Sequence, residues 1–211
     1  MSAACLAAAA VLVLAGLGCS SGEPEDGTQP RELDAAQLRR LGLTRDVPAQ
    51  VREACAEARR LATVRVVCPR LVPDVPLTRI EGLWGSMVSG PGLVYELSFV
   101  NAGGFFGRPL KGVEHWITGG GEANAVQKWI LTDFANEVKG DARLVRSRVV
   151  RGLRVRIYRF PHYPAGGPNG DHVAAVVRVG DELVFASLHG ERYVEAAVAM
   201  AADLAERARG P

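Results

Sequence analysis

Between Leu144 and Leu188 the chain carries four runs of strand-like residues: Leu144 to Val150, Leu153 to Phe160, His172 to Val179 and Glu182 to Leu188. Two of the three joints are a bare pair of residues, Arg151-Gly152 and Gly180-Asp181. Joints this short close only antiparallel hairpins, because a parallel pair needs a crossover of about a dozen residues. Gly180-Asp181 fits a type II′ turn, with glycine at the position of positive φ. The third joint, Pro161 to Gly170, is a longer loop rich in proline and glycine.

The same alternation appears earlier. Leu93, Tyr95, Leu97 and Phe99 share one face of a run from Leu93 to Asn101, against Val94, Glu96, Ser98 and Val100, which predicts a half-buried strand. The glycine-rich segment Gly103 to Gly107 then turns the chain into a second strand, Val113 to Thr118. Helical spacing is seen three times. Asp46 caps a helix running to Ala62 with Val51, Cys55, Ala58 and Ala62 on one face, and Thr63 to Cys68 follows as a strand stopped by Pro69. Gly119-Gly120-Gly121 opens a helix from Glu122 to Val138 with the stripe Val126, Trp129, Ile130 and Phe134. The last helix, Glu191 to Ala208, buries Val194, Val198, Ala201 and Ala205. The order α-β-β-β-α-β-β-β-β-α predicts an α+β fold, an antiparallel sheet with helices packed on it. With 211 residues, 48% of them apolar and 23% charged, the expectation is a single domain.

The first 18 residues hold no charged side chain, and the apolar run Ala3 to Leu17 is short and rich in alanine and glycine. It reads as a secretory signal. Gly16-Leu17-Gly18 precedes Cys19, and the polar stretch Ser20 to Gly27 follows. The combination resembles a bacterial lipoprotein, which implies acylation of Cys19 after cleavage at residue 18. The residues that follow read as a flexible tether over 19–45, with a short helix from Asp34 to Leu41, ahead of a domain over 46–211. Gly16 stands where lipoproteins usually carry Leu or Val, and Gly16 with Gly18 also suits ordinary signal peptidase, so secretion is the alternative. A coil of this length has a root-mean-square span near about 30 Å. The 22 arginines against 3 lysines point to a source of high GC content.

Processing leaves Cys55 and Cys68 as a pair in an oxidising compartment, where a disulfide is expected. No CxxC spacing and no neighbouring histidine suggests a metal site for them.

No motif names a reaction. GxGxxG would need glycine at Asn124, and GK[ST], HExxH, GxSxG, SxxK and EF-hand patterns are absent from the sequence. No cofactor or metal is therefore expected, and no residue is assigned as catalytic. The histidines offer the one cluster. His172 opens a strand of the last hairpin, His189 closes its partner, and His162 and Asp171 lie in the loop before them. These four are candidate ligand-binding residues, and acid–base chemistry in an envelope hydrolase is the alternative use. Gly170-Asp171-His172-Val173 and Ser187-Leu188-His189-Gly190, with the earlier Cys68-Pro69, resemble a family of actinobacterial lipoproteins and secreted proteins to which no activity is attached. The resemblance covers about residues 50 to 205, with His172 and His189 as its features.

Charge is the other concentration. From Ala142 to Phe160 there are seven arginines and no acid, under a net charge of only +2. Arg154 and Arg156 alternate with Leu153, Val155 and Ile157, which predicts one basic face and one buried face. Such a surface suits anionic lipid, wall polymer or an acidic envelope protein. An exported protein does not meet nucleic acid. The sequence is thus read as a lipid-anchored binding or interaction module of the cell envelope, outside the cytoplasm.

Overall fold

The computed structural model describes residues 32–74, 87–100, 115–135, 142–161 and 172–210. Nine strands and four α-helices fall in them. Chain order is α1 (Ala35–Leu41), β1 (Leu43–Thr44), α2 (Ala49–Leu61), β2 (Val72–Pro73), β3 (Met87–Ser89), β4 (Val94–Val100) and β5 (His115–Glu122). Then come α3 (Ala123–Trp129), a π-helical segment (Ile130–Phe134), β6 (Arg143–Val150), β7 (Leu153–Phe160), β8 (His172–Val179) and β9 (Glu182–His189). A 3₁₀ turn (Glu191–Tyr193) leads into α4 (Val194–Arg209).

Seven strands form one antiparallel sheet in the order β3-β4-β5-β9-β8-β7-β6, and β1 pairs separately with β2. This is the α+β, single-domain fold expected. The two-residue turns close as their residues require. Gly180 takes φ 58° at the first position, and Arg151 (φ 51°), the one non-glycine among the described residues with positive φ, is followed by Gly152 at φ 70°.

Alternation on the strands feeds two cores. Tyr95, Leu97, Phe99, Trp116, Leu153, Val155, Ile157, Val184, Ala186 and Leu188 pack against α1, α2 and α4. Ile117, Tyr158, Phe160, Val176, Leu183 and Phe185 pack against Val126, Trp129, Ile130 and Phe134 on the other face. The sheet is the middle of three layers, so β4 is buried on both faces: Glu96 and Ser98 are 2% and 4% exposed. The half-buried strand read from its alternation is corrected accordingly.

Three boundaries shift for stated reasons. Gly119 to Gly121 belong to β5 and do not open the helix. A Cβ at Gly119 would stand 2.5 Å from the Phe185 ring and at Gly121 (φ 145°) 2.0 Å from the Leu93 carbonyl oxygen, so the strand accepts only glycine there. Helix α3 starts at Ala123, where the Glu122 carboxylate accepts from the Asn124 and Ala125 amides. Helix α2 starts at Ala49 behind Pro48, and Asp46 does not cap it. Thr63 to Cys68 joins no ladder and bends at 63 and 64. The Thr63 amide donates to the Gly92 carbonyl at 3.1 Å, the Tyr95 hydroxyl takes the Val67 amide at 3.0 Å and donates to its carbonyl at 3.3 Å, and the carbonyls at the end of α4 receive Arg65. Burial pushes Tyr95 up to about 12, which keeps its hydroxyl a donor.

The tether boundary drawn at residue 45 falls inside packed structure. Asp34 and Gln37 form a capping box on α1, and Leu38 and Leu43 enter the core. Cys55 and Cys68 are joined by a disulfide, with Cα atoms 5.7 Å apart. Closing that short loop is worth about 3 kcal/mol on the chain-entropy model. Among the described residues no helix is long and apolar enough to cross a membrane.

Candidate functional site

Helix α3 sets the geometry of its face. Its start is tied to the Gly180-Asp181 turn by the Ala123 amide, which donates to the Asp181 carbonyl at 2.9 Å. Its far end carries Phe134 against Phe160 of β7 and His172 of β8. The helix thus crosses the face obliquely. One end of the sheet, holding the histidines, lies under Phe134. At the other end, a corner of β7 and β8 beside the first turn of α3 stays uncovered.

The histidine end is built by register. His172 pairs with His189, and the β5–β9 register continues to set His115 on the next strand along. The His172 and His189 rings stack at 4.7 Å and 8°, and His115 meets His172 edge-on at 5.1 Å. Ser98 Oγ lies 3.0 Å from His115 Nε2, and Ser187 Oγ lies 3.4 Å from His172 Nδ1. Burial, with His189 beside it, lowers His115 to about 4, so it is neutral at ordinary pH. The juxtaposition of His172 and His189 was legible in the sequence. His115 was missed because its strand meets β9 only through the sheet order. His162 and Asp171 lie outside the described residues.

Parallel stacked rings do not aim their nitrogens at one point, and among the described residues no group of three or more His, Cys, Asp or Glu is placed to hold a metal. The Ser98–His115 contact has the length of a nucleophile–base pair. Ser98, however, is 4% exposed in mid-strand. Among the described residues the row packs as an aromatic and hydroxyl cluster, with His172 buried and His115 and His189 half-buried.

The uncovered corner is different. Leu153, Val155 and Ile157 are buried against the α4 side, which leaves Arg154 and Arg156 exposed on the α3 side, as their alternation predicts. The basic stretch is shorter than expected: Tyr158 and Phe160 continue the same face but are buried beneath the helical segment. The β7–β8 register sets Val155 opposite Val177 and Arg156 opposite Val176, and its continuation by one residue brings a third arginine, Arg178, beside Arg154. Together with Asn124 and Gln127 of α3, and with Ala123, Val176 and Leu183 as floor, these residues line an open groove of about 340 Å³. Among the described residues that line it there is no carboxylate. Arg178 donates to the Gly180 carbonyl and has Asp181 at 3.9 Å, whereas Arg154 and Arg156 make no ion pair with a described residue. Arg178 was missed at first, although it shares the period of His172, Ala174 and Val176.

No family model matches the chain, and no curated protein or solved structure matches it either.

Proposed function

We propose that this is an exported, lipid-anchored module of the cell envelope that binds an anionic partner through Arg154, Arg156 and Arg178. The observation that carries the reading is the groove itself: three guanidinium groups in one concavity whose described lining residues include no acid. A surface arranged only for solubility intersperses both signs of charge. The Cys55–Cys68 disulfide agrees with an oxidising compartment. Acylation of Cys19 gives the anchor, and a diacylated residue holds stably where one chain would be marginal.

Two measurements test this. Intact mass of the chain from a membrane fraction is expected to show an N-terminus at Cys19 with added acyl mass, and the same terminus without it would overturn the anchor. Retention on immobilised polyglutamate is expected to fall with salt and to vanish in the double variant Arg154→Glu, Arg156→Glu. Retention unchanged by that variant would remove the groove from the function.

A further inference from the structure

We infer that the groove is a site for a phosphate monoester, of the kind presented by glycerol phosphate or by the headgroup of phosphatidic acid. This rests on the anionic-partner reading and narrows it. The first argument is valence. A single carboxylate has one charge and two oxygens, whereas a phosphate monoester offers three terminal oxygens and up to two charges. Three arginines lining one groove carry more charge than one carboxylate balances.

The second argument is repulsion. The β7–β8 register, continued one residue past Val155 and Val177, puts Arg154 across from Arg178 with Arg156 on the diagonal, and all three line one groove, an arrangement of like charges that destabilises a sheet. The acid that Arg178 meets among the described residues, Asp181, is 3.9 Å away and fully exposed, so it offsets little. A dianion seated among the three removes that repulsion. The third is the remaining lining. The side-chain amides of Asn124 and Gln127 both donate and accept, which suits ester and phosphate oxygens and, in the soluble ester, hydroxyl groups, while the buried Val176 and Leu183 close the floor beneath. About 340 Å³ is at the small end of ligand sites, sized for one such unit.

The test is calorimetric titration of the full chain in detergent micelles with glycerol 3-phosphate and, at the same ionic strength, with glutarate. The phosphate ester is expected to bind at least tenfold more tightly. Arg154→Gln and Arg156→Gln are each expected to weaken it tenfold or more with melting temperatures unchanged, while Arg143→Gln, on the opposite side of the sheet edge, leaves it intact. Equal affinity for the two ligands, or indifference to Arg154→Gln and Arg156→Gln, overturns the inference. If polyglutamate retention still depends on Arg154 and Arg156 while no preference for phosphate is seen, only the narrower claim fails; if neither probe binds, both readings fail. Sedimentation of the full-length Cys19→Ala chain with phosphatidic acid vesicles, competed by glycerol 3-phosphate, would identify a lipid headgroup as the source. Binding of the soluble ester alone would identify a free one, and either source upholds the inference.

Discussion

On the α4 side of the sheet, Arg146 and Arg148 reach Glu195, Arg151 reaches Glu206 and Arg159 pairs with Glu191. On the α3 side of the same hairpin, Arg154 and Arg156 face the carboxamides of Asn124 and Gln127. Both sets come from one acid-free stretch with one alternation, so nothing local distinguishes them. The difference lies in what the opposite layer supplies: the last helix and its 3₁₀ lead-in bring three glutamates to the sheet, and the first turn of α3 brings none. One face uses arginine to fasten a helix, and the other leaves it for a ligand.

The comparison requires that α3 be held by packing alone, without help from ion pairs to the sheet. Phe185 is fully buried and stacks on Trp129 at 5.0 Å. Phe185→Ala is therefore expected to cost about 3–5 kcal/mol in denaturant unfolding. A loss below about 1 kcal/mol would mean that something else holds the layer.

The histidine end of the same face predicts acid sensitivity. An exposed imidazole takes its proton near pH 6.5, whereas His115 in the fold stays neutral down to about 4. Between these values the unfolded chain binds the extra proton and the folded chain does not, so stability falls as pH drops from about 6.5 through about 4. The loss is at most about 3 kcal/mol. His115→Gln, which keeps a polar partner for Ser98, is expected to flatten this part of the urea-midpoint profile. An unchanged slope would place the acid sensitivity elsewhere.

Smaller effects separate the two sets of arginines. Glu195→Gln removes half-exposed ion pairs to Arg146 and Arg148 and is expected to cost less than about 1 kcal/mol, diminishing in high salt. Arg178→Gln is expected to act with the opposite sign, raising stability by about 0.3 kcal/mol at low salt as cross-strand repulsion is relieved. If it destabilises the chain as Glu195→Gln does, the two faces do not differ in the way described.

Much of the architecture was legible because it is short-range. The Arg151-Gly152 and Gly180-Asp181 turns close the hairpins on either side of them, and the stripe Val126, Trp129, Ile130 and Phe134 is the buried stripe observed. Cys55 and Cys68 pair as the compartment argument required. Reading failed where a distant partner overrode a local pattern. Thr63 to Cys68 has strand composition, yet the Tyr95 hydroxyl and the end of α4 take its polar groups. Gly119 to Gly121 resemble a flexible helix entry, yet Phe185 and the Leu93 carbonyl press so closely on them that they form strand.

Of the candidate site, the sequence by itself determined that His172 and His189 meet and that Arg154 and Arg156 point away from the core. Both follow from a side-chain period of two, fixed by backbone geometry within a hairpin. Tertiary structure decided that His115 joins the histidines, that Arg178 joins the arginines, and that Phe134 packs on the first cluster while the second is open. Those outcomes depend on the order of strands and on the oblique path of α3 across them. Both are set by contacts between segments far apart in the chain, which no local periodicity records.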